Sequence, residues 1–149
     1  MDINQSVNRI EFVNKIVQEN LWVRDIYTKH ISENHELYDY YLMDQVSDAF
    51  IDIASNVLMS NIDSDENLVK IKIFLGGIEN GLQTNSDELI CLILVGFIER
   101  ITPEMQIFSF IREMMNNNTR EVLEYNFHLS TTVPSVGNLA GWASPTERV

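Results

Sequence analysis

Up to about residue 130, apolar positions recur at three- and four-residue intervals, the spacing that gathers them on one side of a helix. Val7, Ile10, Phe12, Val13, Ile16 and Val17 make one stripe, continued by Leu21, Val23 and Ile26. Tyr38 to Asn61 reads as a long helix with Leu42, Val46, Ala49, Phe50, Ile53 and Val57 on its inner face. Ser64-Asp65-Glu66 and Ser86-Asp87-Glu88 are helix starts, because a serine accepts from free first-turn N–H groups and the acids favour the positive helix end. Thr102-Pro103-Glu104 predicts a third start, with proline at the first helical position. The run Asn116-Asn117-Asn118-Thr119 breaks the pattern and caps a last helix from Arg120 to about Leu129.

Two segments echo each other. Ser64 through Gly76-Gly77-Ile78-Glu79 resembles Ser86 through Gly96-Phe97-Ile98-Glu99, offset by 22 residues at their starts and 20 at their ends. That is near the spacing of successive helices in a solenoid of helix pairs. Glycine inside a helix costs roughly 1 kcal/mol, so the expected use of these glycines is to let a neighbouring helix come close. The expected fold is all-α: six or seven helices in a bundle or short solenoid-like stack. From Thr131 the periodicity stops, and two of three prolines and Trp142 fall in the remaining stretch. The chain therefore divides into one helical domain over 1–130 and an irregular tail over 131–149, whose Trp142 is expected to dock partially on the body.

The 149 residues suffice for one domain with a real core, and few glycines and prolines suit long helices. The single cysteine, Cys91, sits in an apolar run and reads as a small buried hydrophobe. The N-terminus shows no secretory pattern, and the longest apolar run, Leu89 to Ile98, is about half a membrane span. A cytoplasmic location is expected.

Charge changes this picture most. Lys+Arg number 10 against 22 Asp+Glu, a net charge of −12. Between Lys29 and Lys70 there is no lysine or arginine, while nine acids fall there: Glu33, Glu36, Asp39, Asp44, Asp48, Asp52, Asp63, Asp65 and Glu66. A folded segment with such a field attracts cationic proteins and repels nucleic acid and anionic lipid. Within it, Asp44, Asp48 and Asp52 fall opposite Val46 on the long helix, bordered by Tyr40, Tyr41 and Ile51. Like charges at i,i+4 repel by a few tenths of a kcal/mol, and no basic residue stands nearby in sequence to relieve them. Amphipathic aromatics beside charge are typical of interfaces, although a solvated acidic face has the same pattern.

Candidate chemistry is sparse. There is no phosphate loop, cysteine pair or zinc motif. His30 and His35 stand about 140° apart around a helix and cannot share a metal from one helix. His35 with Asp39, and Glu124 with His128, have i,i+4 spacing, more often an ordinary surface pair. Asp63-x-Asp65-x-Asn67 begins like a calcium loop, but Leu68 and Phe74 occupy the positions that require Gly and Glu. No acid pair is tied to a nucleophile. No metal or cofactor is expected, and the residues point away from an enzyme.

Gly77-Ile78-Glu79-Asn80-Gly81-Leu82, Ser86-Asp87-Glu88-Leu89-Ile90 and Val95-Gly96-Phe97-Ile98-Glu99 together resemble a bacterial family of small, acidic, all-helical proteins. Its members share a Glu-x-Gly-Leu turn, an acid pair opening the next helix and a Phe-[Leu/Ile]-Glu ending. The resemblance is confined to residues 77–99, and Gly96 departs from it where Ser is expected. Such families are often encoded beside polymorphic or contact-dependent toxins, where they look like immunity proteins. The motif is structural, so no functional residue carries over.

The resulting expectation is an immunity protein that occludes the active site of a cognate toxin domain, a basic nuclease. Its contacts would be Asp39, Asp44, Asp48 and Asp52 for charge, with Tyr40 and Tyr41 as anchors. The alternative is a helical adaptor binding a peptide or partner helix; a third reading is a small helical enzyme with an acidic metal site.

Overall fold

The computed structural model describes residues 3–60 and 63–136, with side chains from residue 7. The fold is all-α. Among the described residues seven α-helices succeed one another: α1 (Ile3–Glu19), α2 (Leu21–Asn34), α3 (Asp39–Met59), α4 (Ser64–Leu82), α5 (Asp87–Gly96), α6 (Phe108–Met114) and α7 (Asn117–Asn126). A short 3-10 turn, Ile98–Arg100, lies between α5 and α6.

The order of packing is that of a bundle. α5 is the hub: it packs against α1, α3 and α4, and α1 also packs against α4. In a solenoid each unit would touch only its neighbours in sequence. Leu89, Ile90, Leu92, Ile93 and Leu94 are all buried, so α5 is apolar nearly all round, as a central helix must be. Phe50 of α3, Phe74 of α4 and Phe97 meet with ring centroids 5.1–5.3 Å apart. Burying each ring is worth about 1.5–3 kcal/mol. One core draws on every helix and includes Val136.

Glycine sets the closest approaches. A Cβ on Gly81 would lie 2.8 Å from the Phe12 ring and 2.7 Å from Ile93, and one on Gly96 would lie 2.7 Å from the Met43 Cβ. Ser47 completes the second contact by donating to the Gly96 carbonyl at 2.6 Å. Gly76 has open space where its Cβ would be, so of the glycines in the echoed segments it alone does not serve packing.

Several expected boundaries move. Val7, Ile10 and Leu21 are exposed, leaving Phe12, Val13 and Ile16 as the buried stripe of α1. On α3 the buried face turns toward Met43, Ser47 and Ala54, because α5 packs there. Ser86 caps α5 by accepting from the Leu89 N–H, whereas α4 is preceded by Asp63 in the left-handed region at φ 52°. Pro103 does not start a helix: the Met105 N–H donates to the Thr102 carbonyl at 3.0 Å, closing a four-residue turn with proline in its favoured second position. α6 begins only at Phe108.

α7 starts three residues before Arg120, because a distant side chain caps it. The Glu79 carboxylate of α4 accepts from the Thr119 N–H and hydroxyl, both at 2.8 Å, and from the Asn118 N–H at 3.3 Å. α7 also ends early. His128 adopts φ 60°, its N–H donates to the Tyr125 carbonyl, and the Leu129 N–H donates to that of Glu124. This is a Schellman closure with histidine in the left-handed position. Past α7 the described chain is irregular, with Pro134 and Val136 buried. Trp142 lies outside the described residues.

Candidate functional site

The start of α3 is fixed by a buried histidine. Tyr38 donates its backbone N–H to His30 Nε2 at 3.0 Å, and His30 Nδ1 lies 2.9 Å from Gln45 Oε1. With Nε2 accepting, the ring proton is on Nδ1 and is given to Gln45, so both nitrogens are used within the fold. The Tyr41 ring lies 5.4 Å from His30 and remains 50% exposed.

From Tyr41 the outer face of α3 descends through Asp44, Asp48 and Asp52, one turn apart. Arg100 reaches this face from the 3-10 turn, with its guanidinium 3.4 Å from Asp44 and in closer contact with Asp48. The Asp48 side chain nevertheless stays 66% exposed. Asp52 has no ion-pair partner among the described residues. Folding thus supplies one cation to three carboxylates and leaves the face acidic.

The other two expected contact residues go elsewhere. Asp39 pairs with Arg9 Nε at 3.0 Å, and Arg9 also grips Glu88, tying the starts of α3 and α5 to α1. Tyr40 packs against the core. Burial, then a hydrogen bond and proximity to the Cys91 side chain, push its hydroxyl well above the ordinary value near 10. Tyr38, one residue before α3, is the aromatic that lies exposed near Tyr41 instead. Its hydroxyl is also raised, first by a hydrogen bond with Glu36, then by that residue's charge and by desolvation. The period of α3 put Tyr41, Asp44, Asp48 and Asp52 on one face; Arg100, 52 residues from Asp48, had no local signal.

The other candidate chemistry disperses. The α2 C-cap, His35 at φ 67°, separates it helically from Asp39. Glu124 pairs with Arg112 at 2.9 Å. Glu79 is the one acid that is buried among the described residues, and it is occupied as the α7 cap. No group of three or more His, Cys, Asp or Glu among the described residues is gathered to hold a metal. No described helix is long and apolar enough to cross a membrane.

In comparison with known proteins, no protein-family model, curated protein or solved structure matches this chain. A functional reading therefore rests on the geometry of its own residues.

Proposed function

We propose that this chain is a non-catalytic, cytoplasmic immunity protein of bacterial type, which neutralises a basic toxin domain by covering its active site. The observation that carries the reading is the face formed by Tyr41, Asp44, Asp48 and Asp52. It combines a half-exposed aromatic ring with three carboxylates on a rigid helix, and one internal cation leaves it acidic. Exposed ion pairs are worth about 0–1 kcal/mol, so the Arg100 contacts give the fold little reason to hold three aspartates in line. A cationic partner gives a better one. Its basic substrate groove would be steered to this face, its guanidinium groups would meet the aspartates and its apolar stems would cover Tyr41. Such a role uses no cofactor.

The test is co-expression with the toxin domain encoded beside this chain, scored by growth, together with association rates at two salt concentrations. Replacing Asp44, Asp48 and Asp52 with Asn should leave the fold intact and slow association about tenfold or more at low salt. The gap should narrow at high salt, where exposed charge is screened. Arg100→Gln, which uncovers two of the aspartates, should raise the rate. Unchanged protection and unchanged rates in the triple variant would remove this face from the interface.

A further inference from the structure

A second surface, sharing no residue with the α3 face, lies where the first turn of α2 meets the outer side of α4. Leu21, Trp22 and Ile73 form its floor, and it holds about 740 Å³ of space open to solvent. Leu21 is 69% and Ile73 42% exposed, and Val69, one turn before Ile73, is exposed as well. Single exposed apolar residues are ordinary, but an aliphatic and aromatic floor within a polar rim marks a contact surface.

The rim identifies the occupant. Glu19, Asp25 and Glu66 stand around the floor, with Lys70 as the one cation in the lining, and Lys70 is paired with Glu66 at 3.7 Å. The net field over an apolar floor is negative. Trp22 rests on Phe74 with centroids 5.2 Å apart. Its indole N–H is buried and meets no acceptor among the described residues, so the ring offers the groove its apolar surface, with packing against Phe74 to hold it.

We infer that this groove docks a cationic amphipathic helix of a partner protein, with aliphatic side chains against Leu21, Trp22 and Ile73 and basic side chains against Glu19, Asp25 and Glu66. Aliphatic anchors three and four residues apart and flanking positive charge are what the groove would read. The inference is independent of the α3 face, and a partner could engage both.

The probe is a synthetic helical peptide of leucine and lysine with one leucine face, titrated into the full chain carrying Trp142→Phe, so that Trp22 is the only tryptophan. Saturable one-to-one binding that changes Trp22 emission is expected. A peptide of equal charge with serine for leucine should bind at least tenfold more weakly. Leu21→Glu with Ile73→Glu, both at exposed positions, should weaken the leucine peptide tenfold or more while the thermal melt is kept. Glu19→Lys with Asp25→Lys should weaken it too, and Asn at Asp44, Asp48 and Asp52 should leave the Trp22 signal in place. Equal binding by the serine peptide, or no loss in the Leu21/Ile73 variant, would overturn the proposal. So would a dimer abolished by that same variant, which would seat a second copy in the groove. Tighter peptide binding on deletion of residues 137–149 would overturn it in favour of the chain's own tail.

Discussion

The carboxylate of Glu79 lies inside the bundle, 8% exposed, and accepts from two backbone N–H groups and a hydroxyl of α7. The carboxylate of Asp48 lies on the outer face of α3 and meets one guanidinium from a distant turn. The two carry the same charge, but their partners differ in kind. The donors around Glu79 belong to a helix end and have no alternative acceptor once water is excluded, so that charge holds the fold together. Arg100 beside Asp48 is 33% exposed and Asp48 itself 66% exposed, so that carboxylate stays open to solvent and its pairing adds little to the fold. Burial thus divides the negative charge in this molecule between a carboxylate that holds helices together and a face that stays in solvent.

The sharpest way to break this contrast is to remove each carboxylate in turn. Glu79→Ala leaves three donors at the start of α7 without their acceptor, and should cost about 3 kcal/mol. Asp48→Ala should stay within about 1 kcal/mol, the limit for an exposed ion pair. Urea denaturation measures both, and equal costs would abolish the distinction. The next largest effect tests inside against outside by volume. Gly96→Ala drives a methyl into the Met43 Cβ and should cost about 2 kcal/mol. Gly76→Ala, which meets open space, should instead gain about 0.5–1 kcal/mol from helix propensity. A destabilised Gly76 variant would mean that α4 packs differently there.

The smallest effect separates Tyr40 from the acidic face that borders it in sequence. Its hydroxyl is raised above its ordinary value by burial and by Cys91. The folded chain therefore holds this proton more tightly than the unfolded chain. The associated stability is complete below about pH 10 and is lost as pH rises toward the folded value. Tyr40→Phe should flatten the decline in stability above about pH 10, measured as denaturation midpoints across the alkaline range. An unchanged decline would put the hydroxyl in solvent.

Legibility from sequence tracked the range of the interactions involved. The span of α3, the Ser86 cap and the line of Tyr41, Asp44, Asp48 and Asp52 are set by residues within a few positions of each other, and periodicity and capping chemistry recover them. Thr102-Pro103-Glu104 was ambiguous for a physical reason: proline suits both the first turn of a helix and the second place of a tight turn. The tight turn is what forms. The early start of α7 depends on a side chain 40 residues away, and the partial neutralisation of Asp44 and Asp48 depends on one 52 residues from Asp48. Tyr40 and Tyr41 are neighbours with opposite fates, because consecutive helical residues point about 100° apart and the core boundary runs between them.

The bond from Glu79 to Thr119 also imposes an order on how the protein is made. When a ribosome has added Glu79, the residues that will satisfy it are still 39 and 40 positions from being added. At about 5–20 residues per second, that is a wait of roughly 2–8 s. Within it α5 is added to α1–α4, while the carboxylate, still without its α7 donors, keeps its water. The arrival of Asn118 and Thr119 ends that state, so the docking of α7 on α4 follows the synthesis of the helices that form most of the core.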